Sequence, residues 1–203
     1  MKKICFVIVM FAFFLLYQGA LADTYKINYG SPRDGSYNGG PFTIEINPPA
    51  GQVYTTFCLE RNEFFTPGAT YYGTIDDNAI KGGLKGGPND PLDPLSEWLY
   101  ANRLADSLTT AAKSRAMQEA IWYIEEEIDI LPAGQATTYY NLAVDANPSD
   151  ISWIKVLNIY HYVGTTKVDD QSMIIPVPEP GILILLGIAM SAIGMASWRI
   201  RKL

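Results

Sequence analysis

Cysteine and histidine are nearly missing from this chain: its 203 residues hold two cysteines, Cys5 and Cys58, and one histidine, His161. A disulfide framework is therefore excluded, and a single thiol–imidazole pair is the most that cysteine-hydrolase chemistry could draw on. Cations are scarce as well, with 15 Lys and Arg against 21 Asp and Glu. Five of the basic residues and one acidic residue fall in the terminal segments described next. Between them, Asp23 to Ile175 keeps ten basic against twenty acidic residues, a net charge near −10. Binding to nucleic acid or anionic lipid through a basic face is excluded, because such binding works by neutralising phosphates. Asp76-Asp77-Asn78 and Asn89-Asp90 lack the alternate-residue spacing of an EF-hand loop, so they read as solvated turns, and no metal or cofactor is expected. The Thr pairs beginning at Thr55, Thr109, Thr137 and Thr165 follow no short repeat, which excludes an ice-binding array.

Long apolar runs occur at both ends. Lys2 and Lys3 precede an apolar stretch from Ile4 to Tyr17, and Ala20-Leu21-Ala22 forms a small-x-small site before Asp23. Residues 1–22 read as a secretory signal cleaved between Ala22 and Asp23; the alternative is a retained N-terminal helix. At the other end, Val177-Pro178-Glu179-Pro180 leads into an uncharged run from Gly181 to Trp198, followed by Arg199, Arg201 and Lys202. Such a run is just long enough to cross a bilayer as a helix. Its basic flank holds the C-terminus in the cytoplasm, so everything before Pro178 faces outward.

These three parts, in this order, resemble the PEP-CTERM sorting signal of Gram-negative bacteria: a Pro-Glu-Pro motif, a transmembrane helix and a basic end. The resemblance covers about the last 28 residues. It implies an exosortase, a membrane-embedded cysteine protease-transpeptidase, as processing partner, with a membrane-anchored precursor delivered to the outer surface or extracellular matrix. An ordinary single-pass anchor is the alternative. A GPI signal fits less well, because the tail ends in cations.

The segment between the signals has the size of one domain with its own core. From Thr24 to Ile75 it is rich in Tyr, Phe, Thr, Val and Ile, punctuated by turns at Ser31-Pro32-Arg33-Asp34-Gly35, Asn38-Gly39-Gly40-Pro41 and Pro48-Pro49-Ala50-Gly51. That pattern predicts short strands, clearest at Thr43 to Asn47 and Val53 to Glu60. Asp76 to Pro94 is a loop. Helical spacing then governs Leu95 to Asp106, Thr109 to Glu127 and Thr138 to Ala146, before strands return at Trp153 to Val163 and Ser172 to Val177. The predicted class is α+β: a β-sandwich or barrel with a helical insertion, plus the C-terminal transmembrane helix. The expected domains are residues 1–22, 23–175 and 176–203, the last with its span at 181–198.

Once the leader is removed, Cys58 is the one remaining cysteine. Strand alternation turns Phe57 and Leu59 to one face and Cys58 to the other. An unpaired exported thiol is a small buried hydrophobe, one half of an intermolecular bond, or a group with chemistry to perform. On the main helix, Ala112, Ala116, Ala120, Ile121, Ile124 and Ile128 recur at helical spacing, and Gln118 stands beside that stripe with Ile121 and Trp122 one turn on. Gln118 is either exposed or must find partners for its amide. Glu125-Glu126-Glu127 reads as a solvated acidic run.

Phe57-Cys58-Leu59 on a strand, followed by Met117-Gln118-Glu119-Ala120-Ile121-Trp122 on a helix, resembles the paired motifs of the bacterial thioester domain family of surface adhesins. Outside these motifs the resemblance rests on layout. It implies that Cys58 and Gln118 form an internal thioester with loss of ammonia. Phe57, Leu59, Ile121 and Trp122 are expected to wall it. An amine on a partner would then open the thioester and become bonded to Gln118. That event happens once per molecule, which makes the protein a covalent binding module and not an enzyme. Two other readings stand beside it: a Cys58–His161 hydrolase dyad, for which there is no local signature, and a structural matrix protein with a buried free cysteine.

Overall fold

Alternation of apolar and polar side chains dictates the strands that begin the fold. Tyr25 and Ile27 are buried in β1 (Thr24–Tyr29), and Phe42 and Ile44 repeat the pattern in β2 (Phe42–Ile46), the period of two that sends alternate residues to one face. The computed structural model describes residues 23–35, 39–49, 51–85 and 87–177. Along these residues follow β3 (Val53–Thr56), β4 (Thr70–Asp76) and the short pair β5 (Asn78–Ala79) and β6 (Asp90–Pro91). Helices α1 (Pro94–Ser107), α2 (Ala111–Ile124) and α3 (Gln135–Ala146) come next, then the long strands β7 (Ile154–Val163) and β8 (Thr166–Pro176).

Six strands form one antiparallel sheet in the order β3-β2-β1-β4-β7-β8. Its two edges meet. Beyond Thr56 the chain leaves β2 and runs against β8: Leu59 N–H donates to Ser172 O (3.0 Å), Ile174 N–H donates to Phe57 O (3.2 Å), and Cys58 lies opposite Met173. This closes the sheet into a barrel and pairs strand edges that would otherwise be open. Tyr25, Ile27, Phe42, Ile44, Leu157, Ile159, Met173 and Ile175 fill one side of the sheet, joined there by Cys58 and Trp122. Gly73 makes room for them, since a Cβ at that position would come within 2.7 Å of both Leu157 Cδ1 and Tyr25 Cε2.

The helices pack on the other side, where Phe57, Leu59, Val156 and Ile174 meet Leu99, Met117, Ala120, Ile121, Tyr139 and Ala143. Each helix starts where its sequence supplies a cap or a turn. The Asp93 side chain accepts from Leu95 N–H ahead of Pro94, Thr110 accepts from Lys113 N–H, and Gly134 at φ 92° opens α3. The fold is thus mostly β-sheet with three helices, and the helices sit between the sixth and seventh strands as an insertion. The span expected at 181–198 lies outside the described residues. Among those described, no helix is long and apolar enough to cross a membrane.

Three expectations are corrected. β8 begins at Thr166, not near Ser172, because its charged first half pairs with the exposed end of β7. The strand expected from Val53 to Glu60 changes partner at Thr56, from β2 to β8. Finally, α2 stops at Ile124, and the acidic run after it is not a solvated face: Glu126 adopts a positive φ of 58° and is exposed, while Glu125 and Glu127 turn inward. The Glu127 carboxylate accepts from Arg61 N–H (2.7 Å) and Leu84 N–H (2.6 Å), tying the segment after Cys58 to the Gly-rich loop between β5 and β6. These charge-assisted bonds compensate its burial.

Burial, reinforced by the charges of Asp93 and Asp90, pushes the Glu125 carboxyl up to about 8. A carboxyl raised on folding contributes stability that is complete below its unfolded value and is lost as pH rises through its folded value. Glu125→Gln is therefore expected to flatten the pH dependence of folding stability between about 4.5 and about 8, and to stabilise the protein at the upper end. Urea unfolding at a series of pH values measures this.

Candidate functional site

The extended segment that closes the barrel also exposes a mismatch in hydrogen bonding. In an antiparallel ladder a strand's peptide groups point alternately to its two neighbours. Phe57 O and Leu59 N–H face β8, so Cys58 N–H and Cys58 O point the other way, where no strand among the described residues lies alongside. Buried peptide groups left in that position carry a desolvation penalty. The side-chain amide of Gln118, projecting from α2, fills the gap. Its Oε1 accepts from Cys58 N–H (3.0 Å) and its Nε2 donates to Cys58 O (2.7 Å). The amide thus takes the place of a neighbouring strand's peptide.

A third bond completes the arrangement. Gly40 N–H, from the turn between β1 and β2, also donates to Gln118 Oε1 (2.9 Å). Two backbone donors therefore converge on one amide oxygen. The position requires glycine, because a Cβ on residue 40 would come 2.8 Å from Phe57 Cδ1 and 3.2 Å from Gln118 Oε1. Gln118 is fully buried, which excludes the reading of a surface glutamine. Three elements far apart in sequence, the β1–β2 turn, the segment after β3 and helix α2, are held together by this one side chain.

The Cys58 side chain lines a cavity of about 180 Å³ whose walls include Trp122, Phe42, Glu60, Gln171, Arg33 and Phe64. Burial, with a smaller contribution from the Glu60 charge, pushes the Cys58 thiol well above its ordinary range. It is thus held as a thiol and needs a proton acceptor before it can act as a nucleophile. Trp122 borders the cavity. Phe57, Leu59 and Ile121 belong to the core on the helical side, since strand alternation turns residues 57 and 59 away from Cys58. His161 has no part in this site: its Nδ1 meets Asp170 Oδ2 (2.7 Å) on the β7–β8 hairpin, and it does not line the Cys58 cavity. Among the described residues no group of His, Cys, Asp and Glu could hold a metal ion.

At the ends of the domain, Asp23 accepts from Asn47 Nδ2 (2.8 Å), and Val177 N–H donates to Trp153 O (2.8 Å). Ala22, Pro178, Glu179, Pro180, Arg199, Arg201 and Lys202 lie outside the described residues. Two residues of the site escaped the sequence reading. Gly40 registered there only as turn punctuation. Glu60 carries a usable signal, because it follows Cys58 by two along an extended segment and so leaves the same face.

Residues 176–202 match the PEP-CTERM protein-sorting motif. The motif implies processing by an exosortase and export as a membrane-anchored precursor sorted to the cell surface. The described fold is similar to the N-terminal thioester domain of a surface protein from Clostridium perfringens, with a TM-score of 0.50 and 13% identity over 74% of this chain and 97% of that one. At that identity the likeness concerns the fold alone. No curated protein matches the chain.

The hydrogen-bonding role of Gln118 can be measured apart from any reaction of Cys58. In a Cys58→Ala background, Gln118→Leu is expected to destabilise the fold by roughly 1–3 kcal/mol for each buried peptide group left unpaired. Equilibrium urea unfolding of the two variants gives the difference.

Proposed function

We propose that the exported domain is a covalent binding module in which Cys58 and Gln118 form an internal thioester that captures amine-bearing partners. The observation that carries this reading is the pair of N–H donors, from Gly40 and Cys58, at 2.9 and 3.0 Å from the Gln118 amide oxygen. Donors at that distance form an oxyanion hole: they stabilise the negative charge that builds on the oxygen when a nucleophile adds to the amide carbon. The Cys58 sulfur adds to Gln118 Cδ, the Cδ–Nε2 bond breaks, and the thiol proton leaves with the nitrogen as ammonia. Amides resist thiols in water, and fixing both groups on one rigid scaffold supplies much of what the reaction needs.

An incoming amine repeats these steps at the thioester carbonyl. A new amide bond joins the partner to Gln118, and Cys58 recovers its thiol. The same two donors serve both steps. Because the amide is not released again, the protein acts once and is not an enzyme. With a sorting signal that sends it to the cell surface, the domain serves adhesion, joining that surface or its surrounding matrix to a neighbouring protein or matrix component through an exposed amine. One observation favours a second reading, a non-reactive structural matrix protein: the Cys58 thiol is buried and held protonated.

Intact mass distinguishes the two readings. The purified protein is expected to be one ammonia lighter than its sequence and to gain methylamine at Gln118, while Cys58→Ala does neither. A full sequence mass with an alkylatable thiol would establish the structural reading instead. Gly40→Ala, which forces one donor and the amide oxygen apart, is expected to slow ammonia loss by about 10²-fold, followed as the mass change over time.

A further inference from the structure

The thiol proton needs a carrier between the Cys58 sulfur and the departing nitrogen, and a carboxyl group with an unpaired oxygen stands near it. Glu60 follows Cys58 by two residues on the same extended segment, so both side chains leave one face. Both line the cavity bordered by Trp122. One carboxyl oxygen is fixed, since Glu60 Oε2 accepts from Ser172 N–H (2.8 Å) and from Gln171 Nε2 (3.0 Å). The other, Oε1, is buried and has no hydrogen-bond partner, in a residue only 2% exposed. A buried oxygen without a donor is costly. The anchoring of Oε2 by β8 therefore leaves Oε1 as an acceptor in want of a proton, on a residue that lines the cavity where the thiol has one to lose.

We infer that Glu60 is the proton carrier of thioester formation. Its Oε1 takes the proton of Cys58 Sγ across the cavity they share as the Sγ–Cδ bond to Gln118 forms. It then gives that proton to the departing nitrogen as the Cδ–Nε2 bond breaks, so that ammonia leaves and Glu60 ends as it began. When an amine attacks the thioester, the same oxygen takes the proton of the amine and passes it to the leaving Cys58 sulfur. This inference rests on the proposed thioester.

The electrostatics agree. Burial raises the Glu60 carboxyl above its ordinary range, which makes it a stronger base. The thiol is raised as well, so it does not ionise unaided. The other charged groups lining the cavity are Arg33, Arg61 and Glu63; β8 contributes the neutral Gln171 to the lining, and its Ser172 N–H bonds to Glu60.

The test is a time course of intact mass on the freshly synthesised full chain, with wild type, Glu60→Gln, Glu60→Asp and Cys58→Ala compared over a pH series. Glu60→Gln keeps an oxygen for Ser172 N–H but no carboxylate, and ammonia loss is expected to slow by about 10²-fold or more. Glu60→Asp, which retains the carboxylate, is expected to recover part of that rate, which a purely structural role would not produce. In wild type the rate is expected to fall as pH drops through the Glu60 titration, above the ordinary carboxylate range. That limb should be absent in Glu60→Gln, and it reports on Glu60 even if the glutamine variant fails to fold. Ammonia loss at the wild-type rate in Glu60→Gln, or a wild-type rate without the acid limb, overturns the role of Glu60 and leaves the thioester standing. A wild-type chain that keeps its full sequence mass overturns the thioester, and the role of Glu60 with it.

Discussion

One side-chain amide compensates for a strand that is not there. The segment that closes the barrel presents Cys58 N–H and O on a flank where no neighbouring strand runs among the described residues, and Gln118 satisfies both. Helix α2 is thereby fixed to the sheet by directional bonds in addition to apolar packing, and the β1–β2 turn is drawn in through Gly40. Hydrophobic contact sets proximity but hardly orientation. The hydrogen bonds are what hold the Gln118 amide next to Cys58 in a defined attitude. The bonds that solve this structural problem also hold the amide in the attitude that the proposed thioester chemistry requires.

Carboxylates do much of the internal work in a domain with few cations. Glu127 gathers the segment after Cys58 and the Gly-rich loop through two backbone N–H groups. Glu60 grips the β8 backbone through Ser172. Both therefore find partners in peptide donors, a solution open to a chain that lacks lysine and arginine to spare. The remaining ion pairs, such as Lys81–Glu63 and Arg115–Glu119, involve partly exposed side chains and weigh little by comparison.

The parts legible in the sequence were those that follow from local periodicity. Alternation puts Cys58 on the opposite side of the sheet from Phe57 and Leu59, and helical spacing sets Gln118 and Trp122 one turn apart on α2. Tertiary partnership was not legible. Nothing local says that residues 57–59 desert β2 for β8, that Gly40 reaches Gln118 across 78 residues of chain, or that two glutamates of an acidic run turn inward. The charged first half of β8 was missed for a related reason. Thr166 to Asp170 has no apolar pattern, and it is a strand because β7 offers it a ladder.

β8 does more than close the barrel, because the chain passes from it directly into the sorting motif. Met173 on this strand faces Cys58, and a few residues later Val177 is fastened to Trp153 before the chain continues to Pro178. If the tail is tethered and Gln118 is bonded to a partner, tension between cell and target follows a short route through the end of β8, the Cys58 segment and the middle of α2. The hydrogen bonds along that route lie across the strands, so a pull directed along β8 loads them side by side in shear. Most of the barrel, α1, α3 and the Gly-rich loop stand outside this line of force. They can deform or recover without slackening the connection.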